Sequence, residues 1–260
     1  MKERRGKSAK RTRAHSRGSA AESAPRAATW NRVAGVDAIR GVAICLMVVY
    51  HFLFDLNWFH VFRADFNNDP FWLGFRALVV SMFLLLVGVS LVLAARAGMS
   101  RHRFWRRIAL VLTCALLVSA ASYVTFPKTF ITFGILHCIV LTSILAWPLA
   151  RHPWISLGLG MTVIVAGLTV QLPMFDAPWL NWVGFTTHKP PTEDYVPLFP
   201  WMGVSLVGVA IGNWLVARAF KPVDPLSRLA PAWLTWLGRH SLLVYMVHQP
   251  VMVGLLRVIF

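Results

Sequence analysis

The sequence predicts an all-α fold, a polytopic transmembrane helix bundle of about seven spans, and three observations carry that prediction. Hydrophobic residues make up 57% of the 260-residue chain and the mean hydropathy is +0.60, more apolar sequence than a soluble core absorbs. These residues gather into runs close to the ~20 helical residues that cross a hydrocarbon core of ~30 Å. Prolines and basic clusters punctuate the runs.

Residues 1–32 precede the first run. Lys2, Arg4, Arg5, Lys7, Lys10, Arg11, Arg13, Arg17, Arg26 and Arg32 face only Glu3 and Glu22 there. Such a segment cannot bury enough surface to offset its chain entropy, so a disordered basic cytosolic tail is expected. The formal charge of +16 would suggest nucleic acid in a soluble protein, but concentrated before a span it fixes topology by the positive-inside rule. Contact with anionic lipid or RNA, and a transit peptide, are the other readings of that composition; no nucleic-acid partner is expected. A cleaved secretory signal is not expected either, because the apolar run is too long and no small-x-small site ends it.

The spans follow at residues 36–57, 75–95, 105–125, 130–149, 154–172, 198–219 and 236–257, within a membrane domain of residues 33–260. Pro127 separates the third from the fourth, Pro148 and Pro153 the fourth from the fifth, and a Pro-rich loop precedes the sixth. Gly208 and Gly212 form a small-xxx-small pair suited to close helix packing. Cys45, Cys114 and Cys138 lie inside apolar runs without a pairing pattern and read as small buried hydrophobes. No internal repeat of the transporter kind is visible.

With the tail inside, Arg96, Arg101, Arg103, Arg106 and Arg107 after the second span, and Arg218, Lys221 and Arg228 after the sixth, fall on the cytoplasmic side. The opposite side holds Arg63, Lys128 and Lys189 with Asp65, Asp69, Asp176, Glu193 and Asp194. That asymmetry places the N-terminus in the cytoplasm and the C-terminus outside.

The first span, VDAIRGVAICLMVVYHFLFDL, carries Asp37, Arg40, His51 and Asp55 in or beside an apolar helix. Ionisable groups are costly there and face protein or water. At ~100° per residue, Arg40 and His51, three turns apart, fall within about 20° of one another and ~16 Å apart along the axis, and Asp37 and Asp55 share that face. The spacing allows an Asp37–Arg40 ion pair and lets Asp55 hold the His51 imidazole, which would fix its tautomer and leave the other nitrogen basic. The plainer reading keeps Asp37 and Arg40 as interfacial anchors, His51 as a packing histidine and Asp55 as a solvated carboxylate.

His137 and His248 are the other deep histidines, each either packing or meeting the stripe. Zinc held by His51, His137 and His248 has no close ligand spacing to support it, so no metal is expected. Gly238, Arg239, His240 and Ser241 open the last span, as an interfacial start or part of a site. The loop of residues 173–197 is long enough to cover a site or to lie as an amphipathic interfacial element. Arg101, Arg103, Arg106 and Arg107 suit positive-inside topology and also a polyphosphate ligand.

From about Arg32 to Phe260 the chain resembles bacterial relatives of the heparan-α-glucosaminide N-acetyltransferase catalytic domain, through DAIRGVAICLMVVYHFLFDL, FITFGILHCIVL, DYVPLFPWMGVSLVG and LGRHSLLVYMVHQP. Arg40, ten residues and His51 also resemble the Arg-x10-His pattern of the wider transmembrane acyltransferase superfamily. The resemblance implies a bacterial inner-membrane enzyme that moves an acetyl group from cytosolic acetyl-CoA to an amino or hydroxyl group of a sugar or glycan at the far face. It makes His51 the base or a transient acyl carrier, with Asp55 orienting it, and gives the donor to Arg40, Asp37 and the basic loop. Lysosomal members carry an asparagine near the place of His51 and their catalytic histidine shortly after it, so His60 is a second candidate base; it lies beyond the span, in NWFHVF. The chain is shorter than the lysosomal enzyme, and a homo-oligomer would complete the acceptor site. The rival readings are a carrier or proton-coupled transporter using the same stripe, and a structural partner in an envelope complex.

Overall fold

The computed structural model describes residues 33–260; the basic tail, with Arg32, lies outside the described residues. It is helical throughout, with no strand among the described residues: α1 (Ala34–Trp58), α2 (Pro70–Arg96), α3 (Arg101–Thr125), α4 (Ile135–Ala146), α5 (Pro153–Thr169), α6 (Leu198–Ala217), α7 (Asp224–Leu229), α8 (Ala232–Arg239) and α9 (Ser241–Ile259). Five of these, α1, α2, α3, α6 and α9, are long and apolar enough to cross a membrane, and α4 with its 3-10 extension to Leu149, together with α5, adds two shorter apolar helices. Seven apolar helices therefore stand where seven spans are expected.

Local chemistry sets the boundaries. Asp69 accepts the Phe71 N–H at 2.8 Å ahead of Pro70, so α2 starts before the expected residue 75; a side-chain cap followed by proline is a strong helix start. α4 begins at Ile135, later than the expected residue 130, because residues 130–134 pair with the loop before α6, where Val196 N–H reaches the Phe133 carbonyl at 3.4 Å. α5 ends at Thr169, short of residue 172. The last expected span, 236–257, is a correction. Its first residues belong to the separate helix α8, and the chain turns at His240 (φ −106°, ψ 23°) before α9 begins.

Small residues bring the backbones together. Gly208 faces the Leu85 carbonyl, and a Cβ at Gly212 would stand 3.0 Å from Val89 Cα, so the Gly208/Gly212 pair packs α6 on α2 as expected. Gly203 backs onto the Gly160 carbonyl in the same way and joins α6 to α5. Such contacts replace hydrophobic burial as the driving force for helix association in lipid. Between α2, α3, α4 and α6 lies the core of Val87, Leu91, Val92, Phe104, Ile108, Val140, Leu206 and Val209. At the C-terminal end of α1 a second cluster stacks Phe66 on Trp72 (ring centroids 4.2 Å apart) against Tyr50. Outward-facing Leu110, Leu116 and Leu117 on α3, Ile155 and Leu168 on α5, and Leu243 and Leu255 on α9 are exposed apolar residues, as helices surrounded by lipid require.

Candidate active site

Two polar clusters occupy opposite ends of α1. At its N-terminal end Arg40 donates to Asp37 Oδ1 at 2.7 Å, realising the expected ion pair, and its other terminal nitrogen donates to Ser90 Oγ on α2 at 2.9 Å. Arg239 on α8 brings its Nε to 3.5 Å from Asp37 Oδ2. Gly238 permits this approach: it backs directly onto the Asp37 carbonyl, with no room for a side chain. Arg107, exposed on the first turns of α3, brings its charge into range of Arg40. Arg101, Arg103 and Arg106 are exposed near it. One buried carboxylate, Asp37, thus meets a convergence of guanidinium groups, a field suited to an anion.

Toward the C-terminal end the imidazoles of His51 and His248 meet edge to face, ring centroids 5.0 Å apart. The Nδ1 of His51 lies 2.9 Å from the Met47 carbonyl and that of His248 lies 2.6 Å from the Tyr245 carbonyl. A carbonyl only accepts, so each neutral ring carries its proton on Nδ1 and keeps a lone pair on Nε2. The tautomer is set by backbone one turn back and not by Asp55. Asp55 is a correction to the expected carboxylate–imidazole pair: its Oδ1 accepts from Gln249 Nε2 at 2.7 Å, although it stands four residues after His51. His248, one of two readings in the sequence, joins the stripe; it is buried and its Nε2 has no hydrogen-bond partner.

The remaining candidates take other positions. His60 is exposed in the turn that ends α1, with a left-handed φ of 62°. His137 sits in the first turn of α4, where its Nδ1 accepts the Gly134 N–H at 3.3 Å and its Nε2 lies 3.4 Å from Ser119 Oγ. His240 is exposed at the α8–α9 corner, its Nδ1 2.9 Å from the Trp236 carbonyl, and Ser241 starts α9.

Three further groups carry no motif in the sequence: Gln249, Arg76 and Asp194. Asp194 comes from the long loop and accepts the Ile135 N–H at 2.9 Å, capping α4. Its charge reaches His51, Arg76 and His137. The residue retains some accessible surface, but protein surrounds its carboxyl. Burial pushes that carboxyl above its usual range, against the hydrogen bond and the positive groups that pull it down. This part of the loop is held to the segment before α4 by Thr192 Oγ1 on the Phe130 carbonyl (2.9 Å) and Glu193 N–H on the Thr129 carbonyl (3.0 Å). The DYVP segment, placed just before a span, was the available signal for Asp194.

No three His, Cys, Asp or Glu side chains converge as metal ligands among the described residues. The arrangement offers two basic imidazole nitrogens near one end of a membrane helix and an anion-attracting cluster near the other. No curated protein and no solved structure gives a match. The family model described as heparan-alpha-glucosaminide N-acetyltransferase, catalytic, matches residues 32–250, a stretch that contains both clusters. The chain belongs to the heparan-α-glucosaminide N-acetyltransferase catalytic-domain family, a family of membrane acetyltransferases.

Proposed function

We propose that this protein transfers an acetyl group from cytosolic acetyl-CoA to an amino or hydroxyl group of a sugar or glycan at the opposite face of a bacterial inner membrane. The observation that carries the reading is the His51–His248 pair, two Nδ1-protonated imidazoles in contact inside the membrane domain. His51 is the general base. Its Nε2 lone pair takes the proton of the acceptor as the acceptor nitrogen or oxygen bonds to the thioester carbonyl carbon. The tetrahedral intermediate then expels the CoA thiolate, which recovers the proton from the imidazolium. General-base catalysis of this kind contributes roughly 10²–10⁴ in rate.

The donor end is the cluster of Arg40, Asp37, Arg107 and Arg239, with Arg101, Arg103 and Arg106 outside it. Guanidinium groups match phosphate geometry, and the CoA moiety carries several phosphates. The positive-inside rule puts this end in the cytosol. Arg40 and His51 lie ~16 Å apart along α1, a span that an extended thioester-bearing arm has to cover.

The test is acetyl transfer by the purified protein in lipid nanodiscs, given acetyl-CoA and a panel of amino sugars and glycans, with His51→Ala beside the wild type. Wild-type transfer with a loss of about 10²-fold or more in kcat for the variant is the expected result. Transfer that survives intact in His51→Ala removes His51 as base, and solute flux without donor cleavage marks a carrier.

A further inference from the structure

Gln249 follows His248 on α9, and Asp55 follows His51 by one turn on α1, so the bond between them spans the same two helices as the imidazole pair. Gln249 Nε2 donates to Asp55 Oδ1 at 2.7 Å. A carboxylate oxygen only accepts, which fixes the sense of the amide: its NH₂ faces Asp55, and its Oε1 is left with lone pairs alone. Asp55 is 3% exposed. Its Oδ2, Gln249 Oε1 and His248 Nε2 are all buried without a hydrogen-bond partner.

These three atoms are of one kind. Oδ2 of a carboxylate and Oε1 of an amide accept, and His248 Nε2 accepts because Nδ1 donates to the Tyr245 carbonyl. Buried acceptors left without donors keep their desolvation cost, and buried polar groups in native proteins are almost always paired. Their partner, whether water or a bound acceptor, brings N–H or O–H groups. A phosphate or a carboxylate offers only more lone pairs and would be repelled, so this end of the stripe does not suit the anionic part of the donor.

We infer that Asp55 and Gln249 form the acceptor-holding pair: they receive the N–H and O–H donors of an amino-alcohol or vicinal-diol edge of the acceptor beside His51, and Gln249 is a specificity-determining residue. The inference rests on the acetyl-transfer reading and assigns the two residues that the imidazole chemistry leaves unused.

Glucosamine serves as the probe, with full-length protein in nanodiscs and wild type, Gln249→Leu and Gln249→Glu compared. Direct titration without acetyl-CoA is expected to show glucosamine binding at least tenfold weaker in Gln249→Leu. In turnover, its KM for glucosamine rises at least tenfold while its KM for acetyl-CoA stays within twofold. Gln249→Glu recovers binding at low pH, where its protonated carboxyl restores the bond to Asp55, and loses it as pH rises; the melting temperature is followed at each pH, and binding that falls only where the variant unfolds marks a merely structural defect and overturns the inference. Equal binding of glucosamine by wild type and Gln249→Leu, with none by either included, overturns the inference, as does an equal rise in both KM values. Wild-type protein that binds glucosamine in a Gln249-dependent manner yet transfers no acetyl group leaves the pair standing and removes the transfer reaction instead.

Discussion

Asp194 meets the first turn of α4 with a carboxylate that its surroundings pull in two directions. The Ile135 N–H at 2.9 Å favours the charged form, as do the fields of His51, Arg76 and His137, but burial outweighs them and raises the carboxyl above its ordinary range. The folded chain therefore holds the proton more tightly than the unfolded chain, where aspartate titrates at about 3.9. The stability linked to that proton is complete below the unfolded pKa and is lost as pH rises through the folded one. Asp194→Asn keeps an oxygen for Ile135 and removes the titration. In thermal unfolding scans from about pH 4 to about pH 8, the wild type should lose stability relative to Asp194→Asn as pH rises. Parallel curves for the two proteins would contradict the assigned burial.

Among the elements, α8 bears most directly on the donor end of the proposed site. It crosses α1 at two glycines, with Gly41 backing onto the Leu234 carbonyl and Gly238 onto the Asp37 carbonyl. A methyl group at Gly238 has no space, and forcing one into a packed interface costs about 1–3 kcal/mol. Gly238→Ala should accordingly lower the melting temperature, whereas Gly74→Ala, where a Cβ meets nothing within 4 Å, should leave it unchanged or raise it, alanine being the better helix former. Equal melting temperatures for Gly238→Ala and wild type would mean that α8 does not rest on α1. This helix also shows where the sequence stops being legible. Hydropathy sees 236–257 as one apolar run, and Gly238, Arg239, His240 and Ser241 read as a polar helix start; that the chain turns at His240 follows from α8 packing on α1, which periodicity does not report. The spans and the Asp37–Arg40 pair were legible because they depend on residues close in sequence. The Asp55–Gln249 bond is illegible for the converse reason: Gln249 is 194 positions away, and helical spacing offers the nearby His51 instead. Asp194 was hidden because a loop acid reads as solvated until the fold delivers it to the α4 N-terminus.

At the scale of the whole molecule, α1 is the element that joins the two clusters, since its 25 residues span ~37 Å at ~1.5 Å per residue. Arg40 pairs with α2 and Asp37 with α8 near its start, while His51 and Asp55 meet α9 near its end. A reaction between a cytosolic donor and an outer acceptor requires these ends to face opposite sides of the membrane: Arg101, Arg103, Arg106 and Arg107 lie at the start of α3, whereas Asp65 and Asp69, with Arg63, lie in the loop between α1 and α2. The orientation can be measured in a protein whose Cys45, Cys114 and Cys138 are replaced by alanine. Arg63→Cys, in the exposed α1–α2 loop, and Arg103→Cys, at the exposed start of α3, are each treated with a membrane-impermeant maleimide in spheroplasts. Arg63→Cys should be labelled in intact spheroplasts and Arg103→Cys only after lysis. The opposite pattern would put the guanidinium cluster outside, where acetyl-CoA is not available, and would remove the direction of transfer even if the imidazole chemistry held.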